Sequence, residues 1–561
     1  MSSSKAEVSK GPTTLFEMER VQESKVWLFF GTILLFYVIS VMIFAFALIL
    51  FSVFIDLRLT QVLMNNLQVS ILVLFAFSFL FSLIHWQISL KKGPQKILDC
   101  MDAYPPDPED RYHQVYKNVV EEMAIAFGQN NFHAMVFPSP SINSVTISTM
   151  DGEGYLVMAE GAISRLNRAQ LQAFVAQGVA RCATGEAQLT TMACSLSGVY
   201  ETVIEKLDQL AKKRGNNDSN LFVKNQKKDP LVGVIGIGFL QFVVVILHMI
   251  FMAFNMALSR ENGLLADAVA VRLTRNPLAL AEALYIAHHN WKGGAVKNGI
   301  EPLYALPPGR ARSFDEPDGN DIFATHPPIQ KRVSILLDMA HATRDALDKA
   351  LQDSMRPIPI QESNQEEEKE EYYVKMGQEW KGPLSSRQLL NLPGLTSESW
   401  IGLGNKKNIL PLFSIPKLAR QFQENTKGSK WKCPKCKKDL RISEKSGLKI
   451  HQCSSCKGFL VSQDKIIRVI TRREGEFPSQ ILKMVEELPS WEEVKKRNQN
   501  QEFTHSCPQC KQRMIRKPYN LVYPIEIDQC NLCKWTWFDE KELEMLQYLV
   551  QKGLRESQKW L

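Results

Sequence analysis

Four C-x-x-C pairs constrain the last third of this chain more than any other feature. Eight of its 11 cysteines fall in these pairs, all after residue 430. They are Cys433, Cys436, Cys453, Cys456, Cys507, Cys510, Cys530 and Cys533. Each pair can bind one ion through two thiolates, and two pairs complete a tetrahedral site with no open coordination position. The sequence therefore predicts two structural zinc ions and a reducing compartment, not a disulfide framework.

The two sets of cysteines define two zinc ribbons, at residues 430–470 and 504–561, with a charged helical connector at 471–503. The phrase CNLCKWTWFDEKELEML (530–546) resembles the transcription-factor-IIB-type zinc ribbon, and CSSCKGFLVSQDKIIRVI (453–470) is a weaker copy of it. We interpret the ribbons as an internal duplication. Each should be built on a β-hairpin, and the second should end in a C-terminal helix.

Two long uncharged runs, 26–55 and about 67–90, follow a polar tail at residues 1–25. The first run would form a helix of roughly 45 Å, and ~30 Å suffices to cross the hydrocarbon core of a bilayer. Basic residues flank both outer ends, which the positive-inside rule places in the cytoplasm. The sequence therefore predicts a transmembrane hairpin at 26–90 and a multi-pass protein of the inner (plasma) membrane, with soluble domains facing the cytoplasm.

A third apolar run covers residues 231–259, with His248 as its only ionisable residue. Hydropathy favours a crossing, but a single crossing would separate the segments on its two sides. The 29 residues are too few for two full helices. Two interpretations stay open. The run is either a long helix or bent pair that dips into the bilayer or packs against a neighbouring subunit, or a single true crossing.

The stretch 166–186, LNRAQLQAFVAQGVARCATGE, has apolar residues at helical spacing, which predicts a helix with a buried face. With SRENGLLADAVAVRLT (259–274) and THPPIQKR (325–332), it resembles the HtpX-like membrane zinc metallopeptidases. In that family this helix carries H-E-x-x-H, where two His bind Zn²⁺ and the Glu activates water. The resemblance implies a gluzincin-like peptidase domain over residues 91–352.

The positions that match the family motif carry different residues here. Gln177, Gly178 and Arg181 stand where the family has its two His and its Glu, and Gly263 stands at the position of the third ligand. Gln offers a weak neutral oxygen, Gly has no side chain, and Arg is a permanent cation that repels Zn²⁺. We therefore expect a degenerate pseudopeptidase with no catalytic residues, no zinc in the former active site and no enzyme activity.

Three further residues match the family site. Asp267 corresponds to a carboxylate that orients a metal ligand, and His326 lies in the H-P-P segment bordering the cleft, where we expect a structural role. Asn143 matches an Asn of the family's edge segment, although a turn residue would also suit its position. A buried Arg is costly without a partner. We therefore predict that Arg181 and Asp267 form a salt bridge in place of the metal.

A small module is predicted at residues 372–413, after an acidic linker at 353–371. It resembles the bacterial GYF-like domain, and the residues that carry the resemblance are Tyr373, Gly377, Gly382, Pro383, Ser385, Leu389 and Trp400. Members look like peptide-binding modules with aromatic docking surfaces for proline-rich or extended segments. A purely structural module is the alternative, because residues 409–411 replace the family's usual Trp.

The sequence as a whole predicts an α+β multidomain membrane protein. Its parts would be a mainly helical gluzincin-like peptidase fold, an N-terminal transmembrane hairpin, a small α+β GYF-like module and two β-hairpin zinc ribbons. The expected function is that of a catalytically inactive homologue acting as a protein-binding or self-assembling scaffold at the cytoplasmic membrane face. The alternatives are an active membrane zinc endopeptidase with relocated metal ligands, and a membrane-tethered nucleic-acid-binding protein that uses its ribbons.

The expected partners are the membrane, proteins that offer extended or proline-rich peptides, and further copies of this chain. The net charge of +8 is modest for a chain of 561 residues. The ribbons carry acidic residues and have no Arg-rich stripe with interleaved aromatics, so the sequence does not favour nucleic acid. Zinc stoichiometry separates the hypotheses, because two ions per chain fit the scaffold and three fit the enzyme.

Overall fold

The structure, a computed structural model, describes most of the chain between residues 31 and 553. The described ranges are 31–47 apart from 33, 67–217, 230–290, 299–309, 326–354 and, with short gaps, 371–419 and 431–553. The chain divides into two units. Unit 1 contains Met1–Pro108 and His113–Met355, and unit 2 contains Glu109–Tyr112 and Arg356–Leu561. The predicted tail at 1–25 and nearly all of the predicted acidic linker lie outside the described residues.

The described part of unit 1 contains ten α-helices and a three-stranded sheet. The helices are α1 (34–47), α2 (Leu67–Cys100), α3 (Arg111–Phe127), α4 (Glu160–Arg165), α5 (Arg168–Ala183), α6 (Glu186–Asn217), α7 (Pro230–Thr274), α8 (Pro277–His288), α9 (Ile329–Ala340) and α10 (Arg344–Asp353). The strands are β1 (Phe132–Phe137), β2 (Ser144–Ser148) and β3 (Gly154–Ala159). The break between α7 and α8 is fixed by the sequence, since the Asn276 side chain accepts from the Ala279 N–H and caps α8.

The third apolar run lies within α7, a single helix of 45 residues, and not in a bent pair. The core that α7 shares with α6 contains Leu196, Tyr200, Leu240 and Phe251. Along α7 the buried residues Leu240, Val244, Leu247 and Phe251 recur at intervals of three or four, so this helix buries one stripe against α6.

The structure corrects the predicted fold class. Among the helices that the structure describes, none combines the length and the apolar character that crossing a bilayer requires. The transmembrane hairpin and the multi-pass topology are therefore unsupported, and residues 48–66 of that hairpin lie outside the described part of the chain. The mainly helical description is also wrong, because unit 2 contains sheets of seven and four strands. Helical periodicity is easier to recognise in a sequence than short hairpin strands are, so the sequence underweighted the sheets.

The sheet of unit 1 has the order β1-β3-β2, with β3 parallel to β1 and antiparallel to β2. All five residues of β2 are buried. Beyond β2, an isolated antiparallel bridge joins Val145 to Tyr304, and the Ala305 N–H donates to the Ser144 carbonyl at 2.8 Å. The outer edge of β2 is therefore covered by a segment that follows it by about 160 positions in the sequence.

Gly161, at the start of α4, lets the chain that leads into β2 pass close by. A Cβ at this position would lie 2.1 Å from the Pro140 carbonyl oxygen and 2.4 Å from that of Ser141. Because backbone atoms must move, we expect Gly161→Ala to destabilise unit 1 by about 1–3 kcal/mol. Hydrogen exchange of the β2 and β3 amides in the full-length chain measures this loss of protection.

Gly198→Ala in α6 is the matched control, since no described atom lies within 4 Å of its Cβ position. Here the substitution should raise helix stability by up to ~1 kcal/mol. Equal protection of β2 in the two variants would show that the close approach at Gly161 has no energetic consequence.

Unit 2 begins with the small module. Its sheet has the order β5-β4-β6-β7, formed by β4 (Tyr372–Met376), β5 (Glu379–Leu384), β6 (Trp400–Leu403) and β7 (Asn408–Pro411), with α11 (Ser386–Leu390) between β5 and β6. Tyr372, Val374, Leu389 and Ile401 form its core. The likeness of this module to GYF-like domains stays a prediction.

The two ribbons form one seven-stranded sheet of order β11-β12-β13-β14-β10-β9-β8. The strands are β8 (Leu440–Lys445), β9 (Leu448–Cys453), β10 (Phe459–Val461), β11 (Phe503–Ser506), β12 (Arg513–Pro518), β13 (Glu526–Gln529) and β14 (Thr536–Phe538), and the helices are α12 (Gln463–Thr471), α13 (Ser479–Glu486) and α14 (Glu542–Gly553). The two halves join where β10 pairs antiparallel with β14, for example at Leu460 and Trp537. The two ribbons therefore form one folded unit and not two separate domains.

Candidate functional site

The helix α5 carries the residues that match the family motif, and its start is fixed by its sequence. The Asn167 side chain accepts from the Gln170 N–H, and the Gln170 side chain accepts from the Asn167 N–H, which is a capping box. Residues from Leu171 to Arg181 are almost all buried, so α5 is a core helix surrounded on most sides. Side chains at Gln177 and Arg181, four positions apart, lie on the same face.

Glycines at two of the matched positions allow close packing. A Cβ at Gly178 would lie 2.8 Å from a methyl group of Leu156 in β3, and one at Gly263 would lie 2.9 Å from the Pro327 ring. The space that a family Glu would need at each position is therefore filled by neighbouring side chains.

Asp267 is bound by an arginine, but not by the predicted one. Arg332 donates from Nε to Oδ2 at 2.7 Å and from the Nη2 group to Oδ1 at 2.8 Å, and the Gln177 amide donates to Oδ1 at 3.3 Å. Asp267 is 4% exposed and Arg332 1%, so this bidentate pair is shielded from water. Such a pair is stable only while both partners are present.

The predicted salt bridge between Arg181 and Asp267 is wrong. Arg181 pairs with Glu186, which lies just past the end of α5, with Nε 3.1 Å and Nη2 3.0 Å from Oε1. Burial raises the pKa of the Glu186 carboxyl, while the Arg181 guanidinium opposes that rise. Arg181 can reach Glu186 because the turn at residues 184–185 brings the two together, so Asp267 is left to Arg332.

Residues 302–306, which we call the strap, lie at the edge of β2, where a 3₁₀ turn at Glu301–Leu303 leads into the bridge between Tyr304 and Val145. Arg181 donates to the carbonyls of Pro302 at 2.7 Å, Leu303 at 2.7 Å and Tyr304 at 3.3 Å. The Arg181 guanidinium therefore donates both to the Glu186 carboxylate and to three consecutive carbonyls of the strap.

Three other side chains hold the rest of the strap. The His326 Nε2–H donates to the Tyr304 carbonyl at 2.7 Å, and Arg332 donates to the Ala305 carbonyl at 3.1 Å. Asn143 donates to the Leu306 carbonyl at 2.8 Å and accepts from the Leu306 N–H at 3.2 Å, as a neighbouring strand would. Each of the five strap carbonyls thus receives a side-chain hydrogen bond.

The matched positions do not fit a zinc ion. Gln177 and Arg181 offer an amide and a cation, Gly178 and Gly263 have no side chain, and both oxygens of Asp267 are bound by Arg332. Zinc needs three or four thiolate, imidazole or carboxylate ligands around one point. In the described part of the chain, groups of three or more His, Cys, Asp or Glu side chains with that geometry occur at the ribbons alone.

The structure brings the eight predicted cysteines together in two sets of four. In each set the sulfur atoms all lie within 4.8 Å of one another, and the shortest separation is 3.3 Å, between Cys436 and Cys453 and between Cys510 and Cys530. A tetrahedral Zn–S₄ site has sulfur atoms about 3.8 Å apart, since Zn–S bonds are ~2.3 Å. Both sets fit a zinc ion that holds the ribbon together.

A repeated feature of the ribbons was absent from our sequence prediction. In each of the four knuckles the residue after the second cysteine is a lysine with positive φ; these are Lys437, Lys457, Lys511 and Lys534. Each of these N–H groups donates to the carbonyl of the first cysteine of its knuckle. The repeat C-x-x-C-K was visible in the sequence and could have predicted four identical turns.

Comparisons with known proteins divide along the same boundaries. Residues 106–340 match the profile of Peptidase family M48. This part of the chain is thus similar to that family, and we call it the M48-type domain. Residues 432–466 match the transcription factor zinc-finger profile, which covers the first ribbon, although the sequence phrase resembles that family more closely in the second. No solved structure matches the chain.

Curated relatives match the M48-type domain at low identity. A "Protease HtpX homolog" of Dictyoglomus turgidum is 25% identical over 260 residues, which are 46% of this chain and 79% of the relative. One of Thermoanaerobacter pseudethanolicus is 26% identical over 258 residues, 45% of this chain and 80% of the relative.

These names contradict the prediction that the chain is not an enzyme, because the relatives that match it are called proteases. Similarity to a peptidase family also conflicts with the prediction of no zinc in the former active site. The sequence argument weighed four substituted positions and gave no weight to the rest of the domain, over which the similarity extends.

Proposed function

We propose that the M48-type domain binds polypeptide, held by its main-chain carbonyls at the edge of β2. The observation that carries this proposal is the cradle of Arg181, Arg332, His326 and Asn143 around five consecutive carbonyls. Donors aimed at carbonyls contact the main chain and not the side chains of a segment, and docking at a sheet edge is a common mode of peptide recognition.

Two side chains of the cradle are held by ion pairs that do not involve the strap. Glu186 and Asp267 orient the two guanidinium groups, and all four of these side chains are at least 94% buried. Preorganised donors lose little conformational freedom on binding, which raises the affinity for a main chain that fits them. Holding a main chain is also what a peptidase must do with its substrate, so the proposal agrees with the similarity to family M48.

Peptidase activity is the second candidate function, favoured by the names of the relatives. It would require a zinc ion, and the residues at the matched positions do not fit one. The ligands would then have to come from elsewhere in the chain. Both candidates involve polypeptide, so a single probe can examine them together.

The probe is fluorescein-labelled casein, an unfolded polypeptide. Because the strap itself lies at the β2 edge, the test uses full-length protein in which residues 302–306 are replaced by Gly-Ser-Gly-Ser-Gly, called here the strap-replaced variant. The replacement removes the four buried side chains that anchor the strap, Leu303 to Leu306, so its flexible main chain should leave the cleft readily. We expect saturable binding by fluorescence anisotropy, and at least tenfold weaker binding when Arg181→Met is added. Protection of the α5 amides from hydrogen exchange verifies that both proteins are folded.

Lys331→Met is the matched control in the same background, since Lys331 is an exposed cation next to Arg332 in the sequence. It should leave the binding of casein unchanged. Absence of binding by the folded strap-replaced variant would contradict the proposal. Release of labelled fragments that stops with a chelator and resumes with Zn²⁺ would establish the second candidate.

A further inference from the structure

The strap side chains are as deeply enclosed as its main chain. Leu303 is 0% exposed, and Tyr304, Ala305 and Leu306 are each 2% exposed. The Tyr304 ring meets the Phe137 ring edge-to-face, with centroids 6.5 Å apart. Burial raises the pKa of Tyr304 to about 12, so its hydroxyl stays neutral at physiological pH. The cleft therefore surrounds a specific side-chain pattern as well as a main chain.

We propose that the β2 cleft is specific for an uncharged segment with the pattern apolar, aromatic, small, apolar that can adopt the conformation of the strap, and that residues 303–306 are a built-in competitor for that segment. The inference rests on the proposed function and adds two things to it. It gives the chemistry of the partner, and it states that the partner must displace the strap. Because the same residues would surround either segment, the sequence of the strap indicates which partner sequence would fit.

A charged side chain would be poorly accepted in the Tyr304 position. It would be buried there, and burying an unpaired charge costs several kcal/mol. The nearby guanidinium groups are already committed, that of Arg181 to Glu186 and that of Arg332 to Asp267. The cleft should therefore reject segments with an acidic residue at this point, despite the two arginines.

Competition by the strap lowers the apparent affinity for any partner. When the binding-competent form is a fraction of the molecules, the apparent dissociation constant rises by the reciprocal of that fraction. The strap makes side-chain hydrogen bonds at all five of its carbonyls and buries four side chains. The closed form must then dominate, and the native chain should bind at least tenfold more weakly than the strap-replaced variant.

The test uses a fluorescein-labelled peptide with the sequence of residues 299–309, GIEPLYALPPG. We expect it to bind the strap-replaced variant and to bind the native chain at least tenfold more weakly. A peptide carrying Tyr304→Asp should bind the strap-replaced variant at least tenfold more weakly than the original peptide. Equal binding of the two peptides would overturn the specificity, and equal binding to the two proteins would overturn the competition.

A second variant keeps the inference testable if the strap-replaced chain does not fold. Val145 and Tyr304 are direct antiparallel partners, and such pairs have Cα separations of about 4.5–5.5 Å, within the range that a disulfide spans. In Val145→Cys/Tyr304→Cys, oxidation locks the strap in place. We expect the oxidised form to bind labelled casein at least tenfold more weakly than the reduced form, and equal binding would overturn the competition.

The two proposals fail in different ways. If the folded strap-replaced variant binds neither casein nor the peptide, the proposed function is wrong. If that variant binds casein and the native chain binds it equally well, polypeptide binding stands and the competition by the strap is wrong.

Discussion

Removing zinc from one ribbon will unfold both. Cys453→Ser deletes one of four thiolates from the first site, and structural zinc in small Cys sites contributes an apparent binding free energy of about 10–16 kcal/mol at pH 7. The second ribbon keeps its own four cysteines, so it would stay folded if the two ribbons were independent domains. The structure predicts otherwise, because β10 of the first ribbon pairs with β14 of the second at three consecutive positions.

The core of the ribbons reinforces this coupling. Cysteines of both sites share one buried cluster with Leu460, Met514 and Trp537. The Trp431 and Trp535 rings, one from each ribbon, meet edge-to-face with centroids 4.4 Å apart. Loss of the first zinc therefore exposes apolar surface that belongs to the second ribbon, and the two should unfold as one cooperative body.

Hydrogen exchange of the full-length chain is the measurement. In Cys453→Ser, amides in residues 440–461 and 513–538 should both lose protection, while those of α5 in unit 1 keep theirs. Cys100→Ser, at a cysteine outside the ribbons, is the control and should leave all three regions protected. Full protection of residues 513–538 in Cys453→Ser would mean that the two ribbons fold independently.

Arg332→Met will destabilise unit 1 by about 3–5 kcal/mol, because it leaves the Asp267 carboxylate buried without its cation. The substitution also removes the donor to the Ala305 carbonyl. Lys331→Met deletes a neighbouring but exposed cation and should change the free energy of unfolding by no more than about 0.5 kcal/mol. The urea dependence of α5 amide protection in the full-length chain reports unit 1 alone.

The double variant Asp267→Leu/Arg332→Met separates loss of the pair from loss of one partner. Replacing both members of a buried ion pair by apolar side chains is often close to neutral, so most of the lost stability should return. Two results would show that the Asp267–Arg332 pair does not stabilise this site. One is that Arg332→Met is as stable as Lys331→Met, and the other is that the double variant is less stable than Arg332→Met.

The zinc ribbons were the most predictable part of the chain. A metal that must bind four thiolates fixes which cysteines converge, so C-x-x-C spacing was sufficient to group Cys433 to Cys456 and Cys507 to Cys533. The joining of the two ribbons into one sheet was not predictable in this way, since the pairing of Leu460 with Trp537 depends on two short strands 77 positions apart. Short strands carry little periodicity of their own.

The M48-type site was predictable in its positions but not in its contacts. Helical spacing placed Gln177 and Arg181 on one face of α5. Which carboxylate each arginine would find was not encoded by any spacing, because Arg332 and Asp267 are 65 positions apart and Arg181 lies 121 positions before Pro302. The strap was missed altogether, since GIEPLYALPPG reads as a loop when the donors that hold it are distant in the sequence.

The most direct test of the account is the number of zinc ions bound by the full-length chain when it is purified with zinc available. If Arg181 and Arg332 hold the M48-type cleft through Glu186, Asp267 and main-chain carbonyls, elemental analysis will find two zinc ions per chain. Cys453→Ser will lower that number, and Asp267→Asn will leave it at two. A third zinc ion that is lost in Asp267→Asn would contradict the account, because it would place a metal where the structure places an ion pair.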